Sequence, residues 1–298
     1  MKEGWKTHAI GRHLVDIPES ARLSESWTYD EDSLALLEEA GSSSFEKIVS
    51  LAESRLRNSP HRSRSSMLIE RIQQADGAVT LVSWTNASSV LGCALDTYFL
   101  VGDQIIRYQN DVSLERKEIA LAFIRHCSTR WLDIGASGAM GKVGFVVGGA
   151  LLQDTMLNIE SWRMLIHLAG KPDVLFRITA YVQRSVEPGL RNRAGGVLAG
   201  LLGAVAGFTQ LRNRERPVGP IQADEILVAG TQDGKRTYGF KWEAPGKADS
   251  LAEPNLNISL QVGESAYRTN KESFAIDEEA LELWDAVVGS IRLRPGAI

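Results

Sequence analysis

Cysteine is scarce in this chain of 298 residues, with Cys93 and Cys127 the two present. That excludes a disulfide-rich scaffold and a zinc site built from cysteine alone. Two readings stay open for the pair: two buried thiols, or a bridge between the strand-like run of Cys93 and the helix of Cys127. Histidine is sparse too, and His8, His13, His61, His126 and His167 are scattered with no metal-ligand spacing. There is no G-x-S-x-G elbow, H-E-x-x-H, P-loop or C-x-x-C. His126 beside Cys127 invites comparison with a nucleophile and its base, but neighbours on a helix point about 100° apart and do not face each other. The sequence therefore offers no catalytic residue, no metal ligand set and no cofactor motif. The expectation is a protein that is not an enzyme and takes no cofactor.

No apolar run reaches the ~20 residues that a membrane-spanning helix needs. Ala194 to Phe208 comes nearest, a stretch of Gly, Ala, Val and Leu flanked by Arg191, Arg193 and Arg212. It reads as a buried helix whose small residues permit close packing; membrane contact is the sharper alternative. Met1 to His8 hold no apolar signal core, so either the protein is cytoplasmic or an export signal has been removed. A net charge of −4 and a pI near 5.8 give no general attraction to phosphate backbones, which argues against nucleic acid.

What the chain has is sheet. Gly219 to Gly263 reads as a β-meander: Glu225 to Ala229 and Thr237 to Trp242 flank Gln232-Asp233-Gly234-Lys235, whose Asp-Gly pair suits a tight hairpin turn. A third run, Asn257 to Val262, sets Ile258, Leu260 and Val262 on one face against Asn257, Ser259 and Gln261 on the other. The polar loop from Glu243 to Asn255 joins the second run to the third. It carries Pro245, Gly246 and Pro254 and no Cys or His.

Ile10 to Ile17 reads as an opening strand stopped by Pro18. Ser44 offers an N-cap for a helix from Phe45 to about Arg57, with Phe45, Ile48, Val49, Ala52 and Leu56 on one stripe. After the polar loop Asn58 to Ser66 come strand-like runs at Met67 to Ile72, Val79 to Ser83, Ala94 to Val101 and Gln104 to Tyr108. A second helix, Leu114 to Thr129, presents Ile119, Ala122, Phe123 and Cys127 as its inner face, and Leu132 to Ile134 form a short closing strand. Ile134 to Gly144 is dense in Gly, Ala and Ser and reads as a linker.

The second half repeats this plan. Val143 to Leu151 opens it, Ser161 to Leu168 pairs with Val174 to Val182, and a glycine-rich helix spans Leu190 to Ala206. The meander follows, then a helix from Glu278 to Val288 with Leu281, Trp284 and Val288 inward, and a strand at Ser290 to Leu293. Two α+β domains are implied, 1–139 and 140–298, each an antiparallel sheet packed with helices.

The arginines Arg191, Arg193, Arg212, Arg214 and Arg216 read either as solubilising charges or as a basic rim for an acidic partner. The carboxylates Glu38-Glu39, Asp30 with Asp32, and Glu278-Glu279 read as solvated faces or helix starts that complement the dipole.

The combination resembles the immunity proteins that neutralise phospholipase effectors of the type VI secretion system. Ile10 to Ala21 (IGRHLVDIPESA) and the helix and loop through Arg55 to His61 look like the family's amino-terminal domain. Gly219 to Leu227, Phe240 to Gly263 and Ala280 to Ile298 look like its carboxy-terminal domain. Ala9 and Val146 depart from it, standing where the resemblance implies cysteines. The resemblance implies a periplasmic protein, its export signal missing from this sequence, that grasps a cognate lipase between two domains and obstructs substrate access. The expected partner is that effector, with no nucleic acid and no stable membrane span. Long polar loops are disproportionately used for binding, which nominates Arg62 and Arg64 in one loop, and Lys247, Asp249 and Glu253 in the other. The competing classes are an envelope hydrolase or small-ligand-binding protein with an unrecognised site, and a cytoplasmic scaffolding module.

Overall fold

A computed structural model describes residues 2–135, 139–153, 159–193, 208–266 and 268–298. The chain divides into two compact units, one of Met1–Ser26, Leu157–Arg294 and Ile298, the other of Trp27–Met156 and Pro295–Ala297. The amino-terminal stretch thus joins the body of the second half. A cut at 139 remains an expectation about which pieces fold alone.

The chain opens with β1 (Trp5–Ile10) and β2 (His13–Pro18), antiparallel with Ile10 opposite His13. The single strand expected over Ile10 to Ile17 is therefore a hairpin, because Gly11 takes a φ of 54° and reverses the chain at its start.

The second unit begins within β3 (Arg22–Tyr29), whose last residues pair with β4 (Asp32–Ala40) at Trp27 to Leu34 through Tyr29 to Asp32. Next comes α1 (Gly41–Asn58), starting before the expected cap: Ala40 is the N-cap residue and no side chain caps the helix. Its inner stripe is as expected, since Phe45 and Val49 pack with Ile48, Ala52 and Leu56 on Val79, Leu81, Tyr98 and Ile105. Those four come from β6 (Val79–Trp84), β7 (Gly92–Val101) and β8 (Gln104–Ser113), which continue the sheet begun at the edge by β5 (Leu68–Gln73). The order β4-β8-β7-β6-β5 is antiparallel throughout.

The second helix, α2 (Lys117–Ser128), buries Ala120, Leu121, Ile124, Cys127 and Ser128. Phe123 also turns inward and stacks near Tyr29 and Tyr108. Ile119, expected inside, is 66% exposed, and Ala122 is exposed as well. Two of the four expected inner residues, Phe123 and Cys127, thus face inward, and Ala120, Leu121 and Ile124 fill the rest of the stripe. Three short strands follow, β9 (Trp131–Asp133), β10 (Phe145–Val147) and β11 (Ala150–Leu152), in the order β10-β11-β9. The run expected as one strand over Val143 to Leu151 is thus a hairpin turned at Gly148 and Gly149. The described part of the expected linker is packed at intervals, with Gly135, Met140 and Gly141 exposed and Ile134 and Gly144 buried. Ala139 is buried, and the Gly141 and Gly144 amides donate to the Pro295 and Ala297 carbonyls. A Cβ on Gly296 would meet the Gly141 backbone at 3.0 Å, so the closing residues need glycine there.

In the first unit six strands run antiparallel in the order β14-β15-β16-β17-β13-β12: β12 (Ser161–His167), β13 (Val174–Tyr181), β14 (Thr209–Glu215), β15 (Asp224–Gln232), β16 (Lys235–Ala244) and β17 (Asn255–Val262). The meander is there as read. Asp233 (φ 52°) and Gly234 (φ 77°) form its first turn, and Ile258, Leu260 and Val262 face inward. The third helix, α3 (Asp277–Val288), lays Ala280, Trp284, Val287 and Val288 onto this sheet, with the Trp284 ring 5.6 Å from Phe240 and 5.8 Å from Phe176. Asp277, Glu278 and Glu279 sit in its first turn, where they favour the helix dipole. β18 (Arg292–Leu293) joins β2, giving the order β1-β2-β18. The expected helix over Leu190 to Ala206 begins as a 3-10 turn at Leu190–Arg193 and otherwise lies outside the described residues.

Cys93 and Cys127 are both buried and form no disulfide. Burial pushes the Cys93 thiol up, which keeps it protonated and unreactive.

Candidate partner-binding surfaces

The loop after α1 is shaped by one buried histidine. His61 directs Nε2 to the Ser89 carbonyl at 2.8 Å, while its Nδ1 accepts from the Ser63 amide at 3.2 Å. The Arg62 amide donates to Ala87, and the Met67 amide to Ser59. These bonds lash the loop to the β6–β7 connection, itself a knot of Asn86, Ser88, Ser89 and Gly92 hydrogen bonds. Arg62 and Arg64 project from it, and the Arg64 guanidinium lies 5.5 Å from the Trp84 ring centroid. Val90 and Leu91 stand exposed on the neighbouring loop, Leu91 by 77%. Two basic side chains thus share a hydrogen-bonded, apolar-tipped projection of the second unit.

Lys247, Asp249 and Glu253 lie on the β16–β17 loop, in the first unit. The loop is a folded plug. Gln183 Nε2 donates to the Pro245 carbonyl, the Asp249 amide donates to Gln183, and Leu251 is buried. Lys247 Nζ meets Glu253 Oε1 at 2.7 Å, and the Lys247 amide donates to the Glu253 carbonyl. All three nominated side chains are exposed, and the structure pairs two of them with each other.

The arginines read as a basic rim are neutralised internally. Arg212, Arg214 and Arg216 alternate along β14 and just beyond it, converging on Glu225, which is fully buried and also accepts from Trp284. Arg212 and Arg216 further pair with Asp285. Burial alone would raise the Asp285 carboxyl, but the Arg212 hydrogen bond and the nearby guanidinium charges hold it below the usual carboxylate range. Arg191 meets Glu215 and Asp224, and Arg193 meets Glu243. Arg212 and Arg216 thereby join the sheet edge to α3 through Asp285, while Arg191 and Arg214 stay about half exposed.

A cationic face that sequence reasoning passed over lies elsewhere on the first unit's sheet. Arg163 on β12, Arg177 on β13 and Lys241 on β16 surround Thr179, Asn257 and Ser259 in a concavity of about 240 Å³. A signal for it existed: Arg177 and Thr179 occupy outward positions of an alternating strand, and Arg163 an outward position of its hairpin partner. In the second unit an apolar pocket lined by Tyr29, Tyr108, Phe123 and Trp131 holds about 10 Å³, room for a single water. Among the described residues no group of His, Cys, Asp and Glu is placed to hold a metal ion.

No curated protein matches the chain. Two family models do, the amino-terminal domain of Tle cognate immunity protein 4 over residues 6–120 and its carboxy-terminal domain over residues 142–296. The chain belongs to the Tle cognate immunity protein 4 family. Solved structures agree over the whole length. The apo immunity protein TplEi of the type VI secretion system of Pseudomonas aeruginosa is 30% identical, with a TM-score of 0.88, covering 99% of this chain and 98% of that one. A chain of the Tle4–Tli4 complex is 29% identical, with a TM-score of 0.89 and 99% coverage of both. TplEi in complex with an "L" peptide is 29% identical, with a TM-score of 0.83, covering 99% of this chain and 100% of that one. The family consists of immunity proteins rather than enzymes. Among the described residues of this member no helix is long and apolar enough to cross a membrane.

Proposed function

We propose that this chain binds and inhibits a cognate phospholipase effector of type VI secretion in the periplasm, using surfaces of both family domains to obstruct substrate access. The observation that carries the reading is the match of the whole chain to a protein solved in a Tle4–Tli4 complex. Rigid, exposed features suit such a role, because an inhibitor gains affinity from preorganised surface rather than from a nucleophile. The loop of Arg62 and Arg64 is of this kind, and so is the plug of Lys247, Asp249 and Glu253.

The alternative, an envelope hydrolase or small-ligand-binding protein, has no support from the family. It would need a pocket of several hundred Å³ with convergent polar groups.

Co-expression with the lipase-like protein encoded beside this chain's gene tests the reading. Rescue from periplasmic toxicity together with a stoichiometric complex is expected. Full toxicity and no complex would sink the assignment to that effector. Titrating purified protein against lipase activity then separates occlusion of the active site from binding elsewhere.

A further inference from the structure

We infer that the open face of the first unit's sheet, at Arg163, Arg177 and Lys241, is a docking site for an acidic segment of the inhibited lipase. The inference rests on the functional reading above and names the surface and the chemistry of its contact.

The case begins with a contrast in charge pairing. Most arginines of the same unit, Arg12, Arg191, Arg193, Arg212, Arg214, Arg216, Arg236 and Arg292, each lie within 4 Å of a carboxylate, while the scattered Arg22 and Arg268, the latter bonded to the Asp173 carbonyl, do not among the described residues. Arg163 and Arg177 have no such carboxylate among the described residues, although they sit on neighbouring strands. In the β12–β13 register Arg163 faces Thr179 and Arg177 faces Leu165, which makes the two arginines diagonal neighbours on one face. Arg177 also faces Ser259 on β17, and Ser259 in turn faces Lys241 on β16. Two strand spacings, roughly 10 Å, therefore separate Arg177 from Lys241. Lys241 does have an acid, Glu243, but Glu243 is shared with Arg193. Like charges gathered in this way repel one another, and an anionic partner relieves the repulsion.

The floor between the cations is built from short hydrogen-bonding side chains, Thr179, Asn257 and Ser259, which leave the concavity open. Its size admits carboxylate side chains, and an arginine fork matches a carboxylate in two parallel hydrogen bonds. Tyr181 stands beyond Thr179 on the same face of β13 and is 38% exposed. Arginine and tyrosine together are what protein interfaces concentrate, and the apolar ring favours a protein over a free anion.

The test uses the full-length chain and, as probe, the purified lipase-like protein encoded beside it, with association followed at 50 and 300 mM salt. The wild type is compared with Arg163→Gln/Arg177→Gln and with Arg163→Glu/Arg177→Glu. The glutamine pair is expected to bind about tenfold more weakly, chiefly through slower association and with a flatter salt dependence. The glutamate pair should lose more. Both side chains are exposed, so melting temperatures should hold, and the glutamine pair alone decides the matter if the glutamate pair melts early. A wild type that forms no complex overturns the functional reading and this site with it. A wild type that binds, with a glutamine pair of equal affinity and equal salt dependence, overturns this site alone. Sedimentation with phosphatidylglycerol vesicles separates a lipid source: arginine-dependent vesicle binding with unchanged lipase affinity would also overturn the proposal.

Discussion

The indole nitrogen of Trp284 donates a 2.9 Å hydrogen bond to the carboxylate of Glu225, and both side chains are fully buried. Glu225 also accepts from Arg214 at 3.1 Å and from Arg216, so one buried anion ties α3 to the edge of the meander. Removing it leaves a buried indole N–H without an acceptor and guanidinium charge without its counter-ion. Glu225→Ala should therefore cost about 3–5 kcal/mol. Arg214→Ala, on a side chain half exposed, should cost under about 1 kcal/mol. Urea unfolding of the two variants checks the contrast. Equal midpoints would mean that the cluster is surface decoration.

His13 predicts an acid sensitivity. Burial first, then the charges of Arg12 and Arg294, lowers its pKa from 6.5 to about 3. The folded protein thus holds the ring neutral while the unfolded chain protonates it below 6.5. Between those limits the unfolded state binds the extra proton, so stability falls as pH falls, by about 1.4 kcal/mol per pH unit from this group. From pH 7 to pH 5 the wild type should lose about 2 kcal/mol relative to His13→Gln. Parallel pH profiles for the two proteins would show that the ring is not held neutral.

How much of this was legible depends on where the physical signal lay. The meander was readable because Asp233-Gly234 announces its turn and Ile258, Leu260 and Val262 alternate with polar neighbours. The α1 stripe was readable from its helical spacing. β3 and β4 were not, for local reasons. Their turn residues, Asp30 (φ 55°) and Glu31 (φ 69°), adopt left-handed conformations with no glycine to mark them. β4, with its run Leu34-Ala35-Leu36-Leu37-Glu38-Glu39, is made of helix formers that pairing with β8 holds extended. The loops nominated for binding came from the family resemblance and from polarity. The cationic face was missed because its members are far apart in sequence, and only strand register gathers Arg163, Arg177 and Lys241.

The β16–β17 plug separates binding from folding. Its backbone is held by Gln183 and by the Lys247–Glu253 amide–carbonyl bond, while the Lys247–Glu253 ion pair is exposed and worth at most about 1 kcal/mol. Asp249 has a φ of 51°, a conformation that asparagine also tolerates. The triple variant Lys247→Ala/Asp249→Asn/Glu253→Ala should therefore keep its melting temperature within a few degrees while binding the lipase more weakly. An affinity equal to wild type would remove this loop from the interface.

The His61–Ser89 bond makes the reverse prediction for the second unit, where the fold and the presentation of surface depend on one ring. Replacing His61 by Ala deletes the donor to the Ser89 carbonyl and the acceptor for the Ser63 amide, and opens space beside Trp84, whose ring centroid lies 5.3 Å from that of His61. A loss of about 1–3 kcal/mol is expected from the unmade hydrogen bonds and the lost contact. Its local signature should be faster amide exchange at Arg62 and Ser63, with the α1 core unchanged. If Arg62 and Arg64 touch the lipase, His61→Ala should weaken binding through the cost of ordering the loop, and Arg62→Gln/Arg64→Gln should weaken it without altering exchange. Faster exchange with no change in affinity would assign His61 to folding alone and free the loop of any part in binding.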